Sequence, residues 1–347
     1  MRAVRFDAFC EPLYVTEVPP PTAPSGGIVI DVMATGLCRS DWHGWQGHDP
    51  DITVLPHIPG HELAGVVSEV GAGVTRCRVG DRVTIPFVCA CGTCVVCRRG
   101  DGQVCPNQWQ PGFSGPGSFG ERVAVPFADV NVVHLPDGMD DRTASALGCR
   151  FATAFRAVRQ VADVRAGETV AVLGCGGVGL SAVMIAAAVG AIVIAVDVNP
   201  QALARAAGAG AVHTLDGDDA DVPGALRDLV PGGVDVGIDA LGSPATAAAS
   251  IAALRPRGRH VQVGLLPAAV THQQESIPMH TVIARELTVL GSHGMSAAGY
   301  PEMLSLIADG TLRPAELVSR TITLDEVPDA LASMSRSQQP GVTVCVP

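Results

Sequence analysis

The chain has 347 residues, of which 47% are hydrophobic, 16% charged and 4% aromatic, and its formal net charge is −11. This length allows two domains of ordinary size, with cores built mainly from Ala, Val, Ile and Leu. An acidic chain binds DNA, RNA or an anionic membrane poorly, because such binding depends on clustered Lys and Arg. Neither a nucleic-acid partner nor a membrane is therefore expected, and the small-molecule substrate that is expected instead depends on the motifs below.

The first 150 residues predict an irregular β domain. Short runs of β-forming residues are broken by Gly and Pro, and no long helical period appears before about residue 141. The predicted strands are Ile28–Met33, Ala64–Val70, Arg82–Ile85, Arg122–Val125 and Asn131–Val133.

From residue 170 onward, strands alternate with short helices, which predicts a parallel, doubly wound α/β sheet. The predicted strands are Val170–Leu173, Ile192–Val196, Ala211–Leu215, Val234–Ala240, Arg259–Val263 and Glu286–Leu290. The predicted helices between them are 177–188, Pro200–Ala207, Val222–Val230 and 244–253.

The tail after Gly291 predicts a helix at about 301–309, a strand near 318–323, a helix opened by Asp325 and a final VTVCV strand. It is too small to fold alone, so it is expected to return to the first domain. We therefore predict a β domain of residues 1–150 and 292–347, and a doubly wound domain of residues 151–291.

A glycine-rich loop, Gly174-x-Gly176-Gly177-x-Gly179, follows the first strand of the α/β region and opens a helix. Gly174 permits a tight turn, Gly176 a close approach to a pyrophosphate, and Gly179 a close contact between helix and strand. The pyrophosphate would lie on the free N–H groups of the helix. This context predicts a dinucleotide site, with a Gly-rich turn that binds nothing as the alternative.

Asp197 ends the next predicted strand. A carboxylate there accepts hydrogen bonds from the adenosine ribose and repels a 2′-phosphate, and Val198 and Asn199 offer no Arg to receive one. The sequence therefore predicts NAD rather than NADP. Capping of the following helix is the alternative role for Asp197.

Residues 170–196 carry no charge and are long enough to span a bilayer. Glycines cluster near the start of this stretch, however, and no aromatic or basic belt flanks it. A buried strand, helix and second strand produce the same pattern, so no membrane span is predicted.

Five cysteines lie close together near residue 100. Four of them have C-x2-C-x2-C-x7-C spacing, which allows four thiolates to surround one structural zinc ion: Cys91, Cys94, Cys97 and Cys105. Cys89 is expected to be a free, packed thiol, and a register with Cys89 in place of Cys91 is the alternative.

The overall use of cysteine also indicates a compartment. The chain has 11 cysteines, and its first residues, MRAVRFDAFCEP, lack the apolar region of a secretory signal. Such a composition favours metal ligands or reduced thiols over disulfides, so the cytoplasm is expected.

Several motifs occur in one order along essentially the whole chain and together resemble the zinc-dependent medium-chain alcohol dehydrogenases. They are GLCRSDWH at 36–43, PGHELAGVVSEVG at 59–71, VGDRV at 79–83, the cysteine cluster, ALGCRFATAF at 146–155 and the glycine loop. The resemblance implies a GroES-like catalytic domain and a Rossmann domain with a six-stranded parallel sheet. It also implies reversible oxidation of a primary or secondary alcohol, in which a zinc-bound alkoxide transfers hydride to NAD.

The resemblance implies a catalytic zinc held by Cys38, His61 and Cys149, in addition to the structural zinc. This Cys₂His set is the established one for alcohol dehydrogenase, and spacing alone does not define it. Water, alcohol or, in some states, Glu62 would take the fourth position. Asp41 would orient the imidazole ligand.

The same resemblance assigns Ser40 to receive the alcohol proton and His43 to pass it to solvent through the cofactor ribose. A helix cap for Ser40 and a surface position for His43 are the alternatives. Arg39 matches a pyrophosphate contact. Further predicted cofactor contacts are Thr153, Gly177, Val178, Val263 and Leu265. The predicted substrate pocket contains Phe87, Trp109, Trp45 and His48, with packing as the alternative for the tryptophans.

Two features depart from the family pattern. The segment 291–302, GSHGMSAAGYPE, lacks the Arg that many relatives use to hold the pyrophosphate. Arg150 follows the third zinc ligand where some relatives have Gly, and it would either make the zinc more electrophilic or pair with another group.

Three other functions stay open from the sequence. One is a polyol or aldehyde-adduct dehydrogenase on the same scaffold, and another is a non-catalytic dinucleotide-binding zinc protein. A nucleic-acid-binding zinc ribbon is opposed by the acidic charge. The resemblance also implies a homodimer or homotetramer.

Overall fold

The computed structural model describes residues 1–266, 277–335 and 340–347. The chain divides into two compact units. The first unit contains Met1–Ala152, Gly294–Asp309 and Pro314–Pro347, and the second contains Thr153–His293 and Gly310–Arg313.

The strands, in chain order, are β1 Arg2–Arg5, β2 Tyr14–Glu17, β3 Ile28–Leu37, β4 Glu62–Val70, β5 Arg82–Thr84, β6 Arg122–Val125, β7 Val133–His134, β8 Thr169–Leu173, β9 Ile192–Asp197, β10 His213–Asp216, β11 Val234–Asp239, β12 Leu254–Gln262, β13 Thr288–Gly291, β14 Val318–Thr323 and β15 Val342–Val346.

The α-helices are α1 Arg39–Trp45, α2 Val95–Arg98, α3 Ala128–Asn131, α4 Asp141–Ser145, α5 Ala152–Arg156, α6 Gly177–Val189, α7 Pro200–Gly208, α8 Val222–Leu229, α9 Pro244–Ala252, α10 Met279–Ala284, α11 Tyr300–Ala308 and α12 Val327–Ser333. The described residues also contain two π-helical turns, Leu147–Phe151 and Ala157–Val161, and four 3₁₀ turns, Gly102–Val104, Ala297–Gly299, Pro314–Leu317 and Leu324–Glu326.

The first unit is built on a seven-stranded sheet in which β3 is the longest strand. The main order is β14-β15-β3-β4-β5-β7, and β6 also pairs with β3. β15, the last strand of the chain, pairs antiparallel with β3 and parallel with β14. The tail therefore folds back onto this sheet, beside the strand that leads into α1.

The second unit contains a six-stranded sheet in the order β10-β9-β8-β11-β12-β13, with every pair parallel. This is the doubly wound order 3-2-1-4-5-6 of the Rossmann fold, as the alternating pattern predicted. The uncharged stretch forms β8, α6 and β9 of this sheet. Within the described residues, no helix is both long and apolar enough to cross a bilayer.

Some predicted elements were wrong in detail. Asn131 was predicted in a strand, but it ends α3 and its side chain bonds the backbone of Ala90, so the strand begins only at Val133. β12 begins at Leu254 rather than at Arg259. The short helix α1 was not predicted, because its start depends on a cap rather than on an apolar period.

The position of β15 leads to a stability prediction. Val344 is fully buried, whereas Val346 on the same strand is 40% exposed. Val344→Ala removes two buried carbons and leaves a cavity, so the free energy of unfolding should fall by about 2 kcal/mol. Chemical denaturation measures this, and Val346→Ala is the matched control. Equal losses for the two variants would contradict the buried position of Val344.

Candidate active site and metal centres

The helix α1 begins with a capping box that also builds the candidate site. Cys38 is the N-cap, and its backbone N–H donates to Asp41 Oδ2 at 2.9 Å. The other oxygen of this carboxylate, Oδ1, accepts hydrogen bonds from His61 Nδ1 at 2.7 Å and from the N–H of Gly60 at 3.2 Å. Asp41 and His61 are both buried. One carboxylate thus joins the start of a helix to the imidazole that precedes β4.

Cys149 lies in the π-helical turn Leu147–Phe151, between α4 and α5. A π turn widens a helix locally, and such turns are common at functional sites. The turn brings Cys149 to the other two predicted ligands. The side chains of Cys38, His61, Glu62 and Cys149 lie together, with one ligand atom of each within 4.8 Å of the others.

The imidazole of His61 fits a metal ligand. Because Nδ1 donates its proton to Asp41, the neutral ring presents the lone pair of Nε2. This buried Nε2 has no hydrogen-bond partner among the described residues. A buried polar atom without a partner is costly, and a cation between His61, Cys38 and Cys149 would remove that cost.

The ligand groups of the site influence one another's ionisation. Against the effect of burial, the charge and hydrogen bond of Asp41 raise the pKa of His61, so a metal ion would bind Nε2 in competition with a proton. Hydrogen bonding to Cys149, together with nearby His61 and Arg150, holds the pKa of Cys38 well below its usual range against the effect of burial. The bond to Cys38, together with burial, raises the pKa of Cys149. Of the two thiols, Cys38 is thus the one that ionises more readily, and binding of both sulfurs to a metal ion would release the proton of Cys149.

Glu62 is held by Arg150. The Arg150 side chain donates from Nε to Glu62 Oε1 at 2.9 Å and from its terminal nitrogen to Oε2, and the Arg150 backbone N–H also donates to Oε1. Both side chains are buried. Gly36 leaves room for the pair, since a Cβ there would overlap Glu62 Oε2 and lie 2.7 Å from the Arg150 guanidinium. Of the two roles considered for Arg150, pairing with another group is thus the one seen.

The four-cysteine cluster has the dimensions of a zinc site. Its Sγ–Sγ distances are 3.4 Å for Cys94–Cys97, 3.5 Å for Cys91–Cys105, 3.8 Å for Cys94–Cys105 and 4.0 Å for Cys91–Cys97. Four sulfurs at about 2.3 Å from one zinc ion would be about 3.8 Å apart. Hydrogen bonds from Thr93 lower the pKa of Cys91 to about 5, which favours the thiolate that zinc requires.

Cys89 lies outside this cluster. It is buried, its thiol donates to the carbonyl of Pro86 at 3.6 Å, and burial raises its pKa. Its backbone pairs with Trp109 in both directions. The geometry therefore disfavours the register in which Cys89 replaces Cys91.

The predicted proton path lies on α1. Ser40 and His43 are half-buried and stand three residues apart, so they share one face of the helix. The Ser40 hydroxyl lies 3.7 Å from Cys38 Sγ, and Cys38 rather than Ser40 caps the helix. The guanidinium of Arg39 stacks on Trp42 at 3.9 Å and donates to the carbonyl of Met334.

The predicted pocket residues separate into two groups. Phe87 lies edge-on to His61, with ring centroids 6.1 Å apart, and Phe113, which the sequence did not indicate, lies 5.2 Å from the same ring. Trp45 packs in the hydrophobic core and donates its indole N–H to Glu11, and Trp109 packs against a core cluster. The two tryptophans thus fit the packing alternative.

The glycine-rich loop of the second unit connects β8 to α6 as predicted. Gly174 has φ +88°, and a Cβ there would lie 2.9 Å from Leu241. A Cβ on Gly179 would overlap the carbonyl oxygen of Gly174. The helix and the strand can therefore approach only with glycine at these positions. Gly177 and Val178 form the half-buried first residues of α6.

Asp197 lies at the carboxyl end of β9 and faces this loop. It accepts a hydrogen bond from Cys175 N–H at 2.6 Å and one from Asn199 N–H at 2.8 Å. Asn199, not Asp197, caps α7, because its side chain accepts from the N–H of Gln201. The capping alternative for Asp197 is therefore wrong, and its carboxylate stays beside the glycine loop.

The remaining predicted cofactor residues also lie in the second unit. Thr153 is buried, and its Oγ1 has no partner among the described residues. Val263 and Leu265 follow β12, and Leu265 is 60% exposed. A Cβ on Gly242, after β11, would overlap the carbonyl of Leu265, so the loops at this sheet edge pack closely.

Comparison with known proteins gives the family. Residues 24–137 match the alcohol dehydrogenase GroES-like domain, and residues 177–309 match the zinc-binding dehydrogenase family. The chain is 32% identical to an alcohol dehydrogenase of Geobacillus stearothermophilus over 95% of this chain and 96% of that protein. It is 30% identical to an NAD-dependent alcohol dehydrogenase of Sulfurisphaera tokodaii over the full length of both.

The structure is similar to that of the alcohol dehydrogenase TADH from Thermus sp. ATN1, with a TM-score of 0.90 and 31% identity over 100% of this chain and 99% of that one. The fold, the site and these relatives agree. The chain belongs to the zinc-dependent medium-chain alcohol dehydrogenase family.

The buried Glu62–Arg150 pair leads to a stability prediction. Arg150→Met leaves a buried carboxylate without its partner, so the free energy of unfolding should fall by about 3–5 kcal/mol. The double variant Arg150→Met/Glu62→Leu removes both charges and should recover most of that loss. Denaturation at fixed zinc concentration measures both. A double variant as unstable as the single one would show that the two residues do not act as a pair.

Proposed function

We propose that this protein reversibly oxidises a primary or secondary alcohol to an aldehyde or ketone with NAD. The proposal rests first on His61, whose Nδ1 is held by Asp41 and whose buried Nε2 has no partner among the described residues. Two thiols lie beside that nitrogen. An imidazole and two thiolates that leave one position open are the ligand set of a catalytic zinc.

The residues at this site would divide the work. Cys38, His61 and Cys149 would bind zinc, and Asp41 would fix the tautomer and direction of the imidazole. When bound, zinc supplies a Lewis acid that lowers the pKa of a coordinated hydroxyl, and NAD supplies the hydride acceptor.

Four further side chains have positions that fit the chemistry. Ser40, beside Cys38, would accept the proton of the alcohol, and His43 would carry it outward along the same helix face. Phe87 would form an apolar wall next to His61. Glu62 is engaged by Arg150, which leaves the open position to the substrate.

The cofactor would bind to the second unit. The glycine loop offers the N-terminus of α6 to the pyrophosphate, while Asp197 offers its carboxylate to the adenosine ribose. No Arg follows Asp197 before α7, so a 2′-phosphate would meet a negative charge without compensation. Thr153, Val263 and Leu265 complete the proposed contacts in this unit. Arg39, which lies in the first unit, stays a proposed pyrophosphate contact on the family resemblance alone.

The proposal includes two zinc ions per chain, because the Cys91 cluster has the spacing of a closed ZnS₄ site. It also includes a homodimer or homotetramer that works in the cytoplasm, which rests on the family resemblance and on the cysteine usage.

Metal content tests the two-zinc proposal. Elemental analysis should find two zinc ions per chain in the protein and in Cys89→Ser, which changes a buried thiol outside both clusters. Cys38→Ser should hold one zinc and lose activity by at least about a hundredfold. Cys97→Ser should hold one zinc and unfold at lower temperature. An unchanged zinc content in Cys38→Ser would overturn the catalytic site.

Cofactor reduction tests the reaction. Absorbance of reduced nicotinamide is followed with primary alcohols, secondary alcohols and polyols, each with NAD and with NADP. We expect kcat/KM to favour NAD by more than about tenfold, and Asp197→Ala to narrow that ratio. Asp216→Ala is the matched control, because Asp216 pairs with Asp197 in register on the neighbouring strand.

Two outcomes would contradict this proposal. A preference for NADP would contradict the role of Asp197, and turnover confined to polyols would move the substrate class to the alternative considered from the sequence.

A further inference from the structure

His48 does not stand alone near the predicted pocket. Its Nδ1 lies 3.0 Å from Nδ1 of His43, and the two ring centroids are 5.3 Å apart. The indole of Trp42 lies edge-on to both rings, at 4.9 Å from His43 and 5.7 Å from His48. His43, the residue assigned to carry the proton outward, is therefore hydrogen-bonded to a second imidazole.

The end of α1 explains why the two rings meet. After the C-cap Gln46, Gly47 adopts φ +75°, and its N–H donates to the carbonyl of Gly44. The N–H of His48 then donates to the carbonyl of His43 at 3.0 Å. These two bonds form a Schellman motif, in which the residue after the left-handed glycine returns over the residue five positions earlier. That contact is commonly hydrophobic, whereas here it joins two imidazoles.

A bond between two Nδ1 atoms requires one donor and one acceptor, so the pair shares a single proton at this point. If His43 gains a proton at Nε2, it can release the proton on Nδ1 to Nδ1 of His48. His48 then releases its own Nε2 proton to water. One N–H bond breaks for each one that forms, and the pair returns to its starting protonation after rotation or exchange of the shared proton.

Burial decreases along this path. Cys38 is buried, Ser40 and His43 are half-buried, and His48 is exposed. Burial lowers the pKa of His43, and the neighbouring Arg39 and His48 side chains lower it further, against the opposing effect of Cys38. A low pKa means that His43 does not retain a proton at neutral pH, so an outward acceptor is useful.

We propose that His48 is the last group of the proton path. When His43 receives a proton during alcohol oxidation, His48 accepts a proton from His43 through Nδ1 and releases one to solvent from Nε2. This inference rests on the proposed function. His48 acts through His43, so it is a positioning and relay residue rather than a catalytic one.

Kinetics in weakly buffered solution test the relay. His48→Gln should lower kcat for alcohol oxidation by about five- to tenfold, less than the full contribution of acid–base catalysis, while KM stays the same. Added imidazole should restore the rate, because a small base can replace a missing acceptor but cannot repair a structural defect. His134→Gln, which changes an exposed histidine bonded to Asp81, should match the unaltered protein. An unchanged kcat in His48→Gln, or a loss that imidazole does not restore, would overturn the proposal.

Nitrogen NMR of the resting protein tests the pair without turnover. The ¹⁵N shifts of the two rings should report one shared Nδ1 proton, and His43→Gln assigns the signals. His48→Gln removes a neighbouring imidazole that lowers the pKa of His43, so the pKa of His43 should rise. If His43 titrates in the same way in His48→Gln, the proton is not shared and the proposal fails.

The two experiments separate the possible failures. If the unaltered protein oxidises no alcohol, the proposed function fails, and the relay fails with it even where NMR shows a shared proton. If it oxidises alcohol and His48→Gln does so equally fast in weak buffer, only the relay fails.

Discussion

The bond between the Asp41 carboxylate and His61 Nδ1 organises the candidate active site. The same carboxylate caps α1 through the N–H of Cys38 and holds the loop before β4 through Gly60. Two chain segments are thereby joined by one buried group, and the lone pair of His61 is directed toward the two thiols. Without this carboxylate, the ring could adopt the other tautomer. The N–H of Cys38, which caps the helix that carries Ser40 and His43, would also lose its hydrogen-bond acceptor.

Charge at the site is balanced in two separate sets. Two thiolates would neutralise a zinc ion, while the Arg150 guanidinium neutralises Glu62. A buried carboxylate without such a partner would compete for the metal or carry a large desolvation cost. Arg150 therefore has a local reason to follow Cys149, since its charge pairs with Glu62 and also helps to lower the pKa of Cys38.

Local sequence signals predicted the parts of the structure that depend on local physics. The Rossmann sheet followed from alternating apolar strands and helices, and the Gly174 loop from the need for residues without a Cβ. The π turn around Cys149 was not predicted. The pairing of Arg150 with Glu62 was not predicted either, because these two residues are distant in sequence. His48 was predicted to line the substrate pocket, and its hydrogen bond to His43 was not predicted. A turn through Gly47 can be recognised from the sequence, but the sequence does not show which side chains that turn brings together.

The return of the chain terminus to the central sheet has a consequence for synthesis on the ribosome. β15 lies between β14 and β3, yet in sequence it follows the whole parallel sheet of the second unit. Until β15 emerges, the edge of β3 beside Gly36 has no neighbour, although the long middle of the polypeptide, with its own parallel sheet, is already available to fold. The sheet beside the zinc ligands is thus completed only after the second unit has been synthesised, and its metal would be acquired after that point.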